Sequence, residues 1–157
     1  MAKTNRKNGF TLIELLVILE ILGILTAIAI PIYRVETRKA KLTEATNAMC
    51  YIASALATYR NQATITGAGT TWPNCGNIAE IQTSLGVGLA ALGRVGVASV
   101  NQSTGVISVT VANIDTAVDG STITLTPTTA ADSSISWKWG GPSLPDIFPN
   151  NSRNIGW

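Results

Sequence analysis

Residues 10–32 form an apolar run of 23 residues in which Glu14 and Glu20 are the only charges. As a helix this run extends about 34 Å, enough to cross the hydrocarbon core of a bilayer. One long helix therefore dominates whatever fold the chain adopts. Residues 1–9 carry Lys3, Arg6 and Lys7 with no acid and end on Gly9. Positive charge ahead of a span keeps that end cytoplasmic, so everything after Tyr33 is expected to be exported. An ordinary secretory signal has a shorter apolar core followed by a small-residue cleavage site; here no clear Ala-x-Ala site precedes the polar region, and the segment is expected to stay on the mature chain.

Beyond the span, Leu42, Ala45, Met49, Ile52, Leu56 and Tyr59 recur at alternating steps of three and four, the pattern of an amphipathic helix facing a core. Arg34, Arg38, Lys39, Lys41, Glu36 and Glu44 surround its start. The helix is expected to run on from the span, about 50 residues over 10–59, with Pro31 as its kink. Such a helix is bare and apolar in its first half and packed under a head in its second, a lollipop. After Arg60 the composition shifts: residues 61–77 read as a loop rich in Thr, Gly and Asn. Ile78, Ile81, Leu85 and Leu89 then suggest a short helix weakened by Gly86 and Gly88. From Val95 the period changes to two, through Val95 and Val97, Val106, Val109 and Val111, Ile123 and Leu125, then Ile135, Trp137 and Trp139. Turn signals at 103–105, 119–120 and 132–134 divide these into four strands of an antiparallel meander. The tail holds Pro142, Pro145 and Pro149 and reads as an irregular strap over the sheet.

A chain of 157 residues has room for one domain and an anchor. A net charge of +2 is too small to indicate a nucleic-acid or acidic-membrane partner by itself and leaves the partner open, while the absence of His removes the commonest general base and transition-metal ligand. Asp115, Asp119, Asp132 and Asp146 show no calcium-ligand spacing. Cys50 and Cys75 without His make a poor zinc site. Outside the cytoplasm they are expected to form a single disulfide closing a modest loop; two free buried thiols are the other reading. The aromatics Tyr33, Tyr51, Tyr59, Trp72, Trp137, Trp139 and Trp157 can be read as a stacking platform for DNA or an electron path, but core packing explains Tyr59, Trp137 and Trp139 more simply. No cofactor is expected.

The run Gly9, Phe10, Thr11, Leu12, Ile13, Glu14, Leu15, Leu16, continuing through Gly23, Ile24, Leu25 to Ala27, Ile28, Ala29, Ile30 and Pro31, resembles the class III signal and N-terminal helix of type IVa pilins and the related pseudopilins of type II secretion. The likeness covers residues 7–33. More loosely, Gly120, Ser121, Thr122, Ile123, Thr124, Leu125, Thr126 and Pro127, with Ile135, Ser136 and Trp137, resemble the β region of major pilins. In many major pilins a C-terminal Cys pair staples the tail; here Trp139 stands where a Cys is usual, and Cys50 and Cys75 are the candidate pair.

The resemblance implies an α+β pilin fold, a long N-terminal helix packed on a four-stranded antiparallel sheet, divided into a leader at 1–9, a membrane and filament-core half at 10–33 and a globular head at 34–157. It implies cleavage between Gly9 and Phe10 by a prepilin peptidase, methylation of the new Phe10 amine, and no catalysis by the chain itself. Glu14 would then meet the Phe10 amine of a neighbouring copy. Glu20 departs from the family pattern, where an apolar residue is usual; it lies about 240° round the helix from Glu14 and is either protonated or paired with a basic residue of another copy such as Arg34. Gly23 and Pro31 bracket a stretch implied to lose helical hydrogen bonds inside a filament. The expected product is a homopolymeric pilus for adhesion, twitching motility or DNA uptake. Its subunit would start in the inner membrane and pass through an assembly platform, a motor ATPase acting indirectly and an outer-membrane pore to the cell exterior. The rival readings are a type II secretion pseudopilin and a membrane-anchored adhesin or binding module that never polymerises.

Overall fold

Helix α1 runs without interruption over Leu12–Thr66, 55 residues, with Gly23 and Pro31 inside it. The structure is a computed structural model, and it describes residues 10–67, 71–89, 92–131, 134–141 and 154–156. The chain divides into two compact units, Met1–Thr37 and Arg38–Trp157, with the division falling within α1. In the first unit every residue from 10 to 36 is exposed.

In the second unit α1 buries Leu42, Ala45, Ala48, Met49, Ile52, Ala53 and Leu56, one face of the helix. Tyr59, read from the sequence as the last residue of this stripe, is 38% exposed, so the stripe stops at Leu56. The helix itself outruns its apolar face. It continues to Thr66 through a segment whose composition reads as loop, where Thr64 and Thr66 satisfy their hydroxyls on the helix itself by donating to Arg60 O (2.9 Å) and Gln62 O (3.0 Å) one turn back. It ends at Gly67, in the left-handed region at φ 73°. Helix α2 (Ile78–Leu85) is closed at both ends. Asn77 Oδ1 accepts from Glu80 N at 2.9 Å, Glu80 Oε2 accepts from Gly76 N at 2.6 Å, and Gly86 at φ 71° donates back to Gln82 O. Gly86 therefore stops the helix instead of weakening it.

The expected four-stranded meander is present as β1 (Val95–Val100), β2 (Ile107–Val111), β3 (Thr122–Thr129) and β4 (Ile135–Gly140), each antiparallel to the next. A fifth short strand, β5 (Asn154–Gly156), pairs with β4, so the tail adds to the sheet where the sequence suggested only a strap. Pro142, Pro145 and Pro149 lie outside the described residues, as do Asp132 and Ser133 of the third turn signal. Ile107, Val109 and Val111, Ile123 and Leu125, and Ile135 and Trp137 point into the core at period two. Strand β1 departs from that alternation. Its pairing shifts register between Val95 and Val97, a bulge at Gly96, so Val97 turns outward (53% exposed) and Ala98 takes the inward position. Pro127 is tolerated inside β3 because β2 pairs with that strand only as far as Leu125, leaving no ladder donor required at 127 on that side.

Trp72 and Trp137 close the core, their rings 6.4 Å apart and tilted by 56°. Arg60 of α1 lies over Trp72, 4.4 Å from the ring centroid. Gly105, in the β1–β2 turn at φ 70°, sits against the same indole: a Cβ there would stand 2.4 Å from Trp72 Cε2. The cysteines are separate thiols, so the disulfide expected from the sequence is not present in the structure. Cys75 is buried and bridged to β1 through Val100 N donating to its carbonyl at 2.7 Å; Cys50 stands half-buried on α1. Burial pushes both thiols above their ordinary range; at Cys75 a hydrogen bond with Ser84 works against burial and the Glu80 carboxylate adds to it.

Two expectations follow for the detergent-solubilised chain. Gly105→Ala combines left-handed strain with collision into Trp72 and should cost about 2–4 kcal/mol. Gly120→Ala, at φ 82° in open space, should cost only about 1 kcal/mol. Thermal melts followed by tryptophan near-UV dichroism compare the two, and equal losses would show that the Trp72 contact does not matter. For the cysteines, a chain unfolded without reductant should take up maleimide at both positions, and the folded chain should label slowly because burial holds back the thiolate. No uptake after unfolding would show that the disulfide forms.

Candidate functional site

The first turn of α1 is built by its own side chains. Thr11 occupies the N-cap: Glu14 N donates to Thr11 Oγ1 at 3.4 Å, Leu15 N to Thr11 O at 3.3 Å, and the Thr11 hydroxyl lies 3.5 Å from Glu14 Oε2. The Thr-x-x-Glu spacing is that of a capping box, with the Glu reaching the cap hydroxyl, and a carboxylate in the first turn also suits the positive end of the helix dipole. Glu14 thus has a local duty that the sequence reading missed, although Thr11 three residues ahead of it is the signal that gives it away. Phe10 precedes the cap and is 78% exposed. Gly9, with Lys3, Arg6 and Lys7, lies outside the described residues.

From Leu12 onward the first half of α1 has no polar face. Leu12, Ile13, Leu15, Leu16, Leu19, Ile21, Leu22, Ile24, Leu25, Ile28 and Ile32 are each more than half exposed, and they point in every direction around the axis. This is a helix long and apolar enough to cross a membrane. The polar hydroxyl within it, Thr26, is satisfied on the helix itself by donation to Leu22 O at 2.5 Å. Glu20 makes no hydrogen bond or ion pair among the described residues.

The second half of α1 is fixed by charges as well as by its apolar stripe. Arg38 pairs with Asp115 at 3.0 Å, Lys41 Nζ donates to Ile114 O at 3.0 Å, and Arg94 lies 3.9 Å from Glu44. The first two contacts tie the helix to the loop between β2 and β3, and the third ties it to the residue just before β1. That loop is shaped by Asp119, whose Oδ1 accepts from Ile114 N at 2.7 Å, and by Asp115, whose Oδ1 accepts from Ala117 N at 3.0 Å. The two acids therefore build a turn. Sequence reading placed Arg38, Lys41 and Glu44 around the start of the amphipathic stretch, but partners more than 40 residues away leave no local signal.

The family model for the prokaryotic N-terminal methylation motif matches residues 4–30. A fimbrial protein of Eikenella corrodens, EcpC, is 31% identical over 150 residues, which cover 94% of this chain and 92% of that protein. Two further similarities are confined to the helix end. Prepilin peptidase-dependent protein D of Escherichia coli K12 is 52% identical over 40 residues, 26% of this chain and 27% of that protein. The type IV major pilin PilE1 of Neisseria gonorrhoeae is 49% identical over 39 residues, 25% of this chain and 24% of that protein. A methylation motif that covers most of an all-round apolar stretch of helix, an antiparallel sheet in the second unit and a fimbrial relative matched over nearly the whole length converge on one assignment: the chain belongs to the type IV pilin family.

Proposed function

We propose that this chain is the precursor of a structural pilus subunit, cut between Gly9 and Phe10 by a prepilin peptidase, methylated on the Phe10 amine, and polymerised into an extracellular type IV pilus through residues 10–33. The observation that carries the reading is the apolar surface of residues 10–32, exposed on every side and lying almost wholly inside the motif matched over residues 4–30. Apolar area contributes roughly 25 cal/mol per Å² when it leaves water, so this stretch has to be covered. The inner membrane covers it in the precursor, and the same helices of other copies cover it in the filament. Head-to-tail contacts that do not close on themselves extend without limit, which is how one kind of subunit makes a fibre. The assembly platform, its motor and an outer-membrane pore are the partners this route requires.

In this reading Glu14 keeps a carboxylate inside the apolar layer, and such a group tends to find a cationic partner. Cleavage before Phe10 creates one, an amine four residues away along the chain, and on a neighbouring copy displaced by about 6 Å the two come level. Glu14 would then set the register of each incoming subunit, while the head half of the chain takes no part in chemistry.

Filaments sheared from producing cells should consist of chains that begin at methylated Phe10. The Glu14→Ala chain should reach the membrane in normal amounts but yield about tenfold fewer filaments or less, since it leaves the amine unpaired. A normal filament yield from Glu14→Ala, or functional filaments whose subunits still begin at Met1, would sink the reading.

A further inference from the structure

Helix α1 carries four acids and five bases, and the structure accounts for nearly all of them. Glu14 is held by Thr11, and Glu44 lies beside Arg94. Arg38 is taken by Asp115, Lys41 by the Ile114 carbonyl, and Arg60 by the face of Trp72. Glu36 and Lys39 are likewise engaged. Among the described residues this leaves two charges of α1 without a partner, Glu20 in the middle of the apolar run and Arg34 immediately after it, both exposed. They are opposite in sign. They cannot meet within one chain, because 14 residues of helix hold them about 21 Å apart.

We propose that Glu20 of one copy pairs with Arg34 of a second copy, lying parallel to the first and displaced along the helix by about 21 Å. The inference rests on the polymerisation proposed above and adds a second charge contact to it. A carboxylate inside an apolar layer needs a cation within reach, and a guanidinium stays charged and offers a fork of donors that matches it. Lys138, another cation of the described residues for which the structure shows no partner, belongs to strand β4 and not to the helix surface on which copies would pack. The 21 Å displacement differs from the roughly 6 Å that levels Glu14 with a neighbour's Phe10 amine, so the two carboxylates engage different copies. Each subunit is thereby registered twice, once at the end of its helix and once less than two turns further in, and Glu20 earns its place in a position that is otherwise apolar.

The test uses the full chain in producing cells, with sheared filaments measured against chain present in the membrane fraction. Glu20→Gln and Arg34→Gln should each cut filament yield about tenfold, since each leaves one charge buried alone. The double variant, with no charge left over, should fall no further than either single variant and recover part of the loss. A Glu20→Gln chain that assembles like the wild type would show the carboxyl to be neutral in the filament and overturn the pair, as would losses from the two changes that simply multiply. Either result leaves the polymerisation reading standing, whereas wild-type cells that yield no filaments of this chain would sink that reading first.

Discussion

A helix that is apolar on every face and exposed along its length is not a stable object in water, and this requirement for a cover organises everything else about the chain. The first half of α1 has no polar side to turn outward, so no rotation of the helix relieves the exposure. A bilayer meets the requirement for a single copy, and parallel copies of the same helix meet it for many. The charges inside the run then acquire their meaning from the cover: side chains that are unremarkable in water become selective once the surroundings are apolar, because the layer penalises every arrangement that leaves them unpaired.

The second half of the same helix solves a different problem by different means. It presents a single buried face, of which Ala45, Ala48 and Ala53 are small and Met49, Ile52 and Leu56 large, to a sheet whose inward residues alternate cleanly through β2 and β3. Small and large residues alike join the inward residues of the strands in one buried core. Arg38–Asp115, Lys41 to the Ile114 carbonyl and Arg60 over Trp72 then fix its rotation, each weak where it is exposed to solvent but together distributed over more than 20 residues of helix.

How much of this was legible in the sequence depended on whether the cause was local or distant. The apolar run, the stripe from Leu42 to Leu56 and the four period-two strands were readable because a helix and a strand impose fixed periods on the residues that face a core. The end of α1 was misplaced by seven residues because Asn61 to Thr66 carry no apolar face; the left-handed Gly67 was the available stop signal. The inward turn of Ala98 in place of Val97 was not readable, since a bulge is decided by the opposing strand at Thr110 and Val111. Nor was β5, whose three residues gain their structure only by pairing with β4. The Thr11–Glu14 cap was local and legible, since Thr-x-x-Glu spacing at the start of an apolar run is itself the capping signal.

In the proposed filament Glu14 serves both as a cap and as a contact between copies, because the two duties use different parts of the carboxylate. A capping box engages one oxygen and the positive end of the helix dipole, and a carboxylate has lone pairs to spare for an ammonium group. Capping also keeps the first turn helical right up to Thr11, which matters if Phe10 becomes the terminal residue: a frayed first turn would move its amine by several ångströms relative to the body of the helix. Local order at Thr11 and long-range register at Glu14 are in this sense the same constraint, because a charge can position a neighbour only as well as its own backbone is positioned. Glu20, about two and a half turns in from the cap at Thr11 and with no cap to serve, has only the second duty in the proposed filament, which is why its proposed partner belongs to another copy.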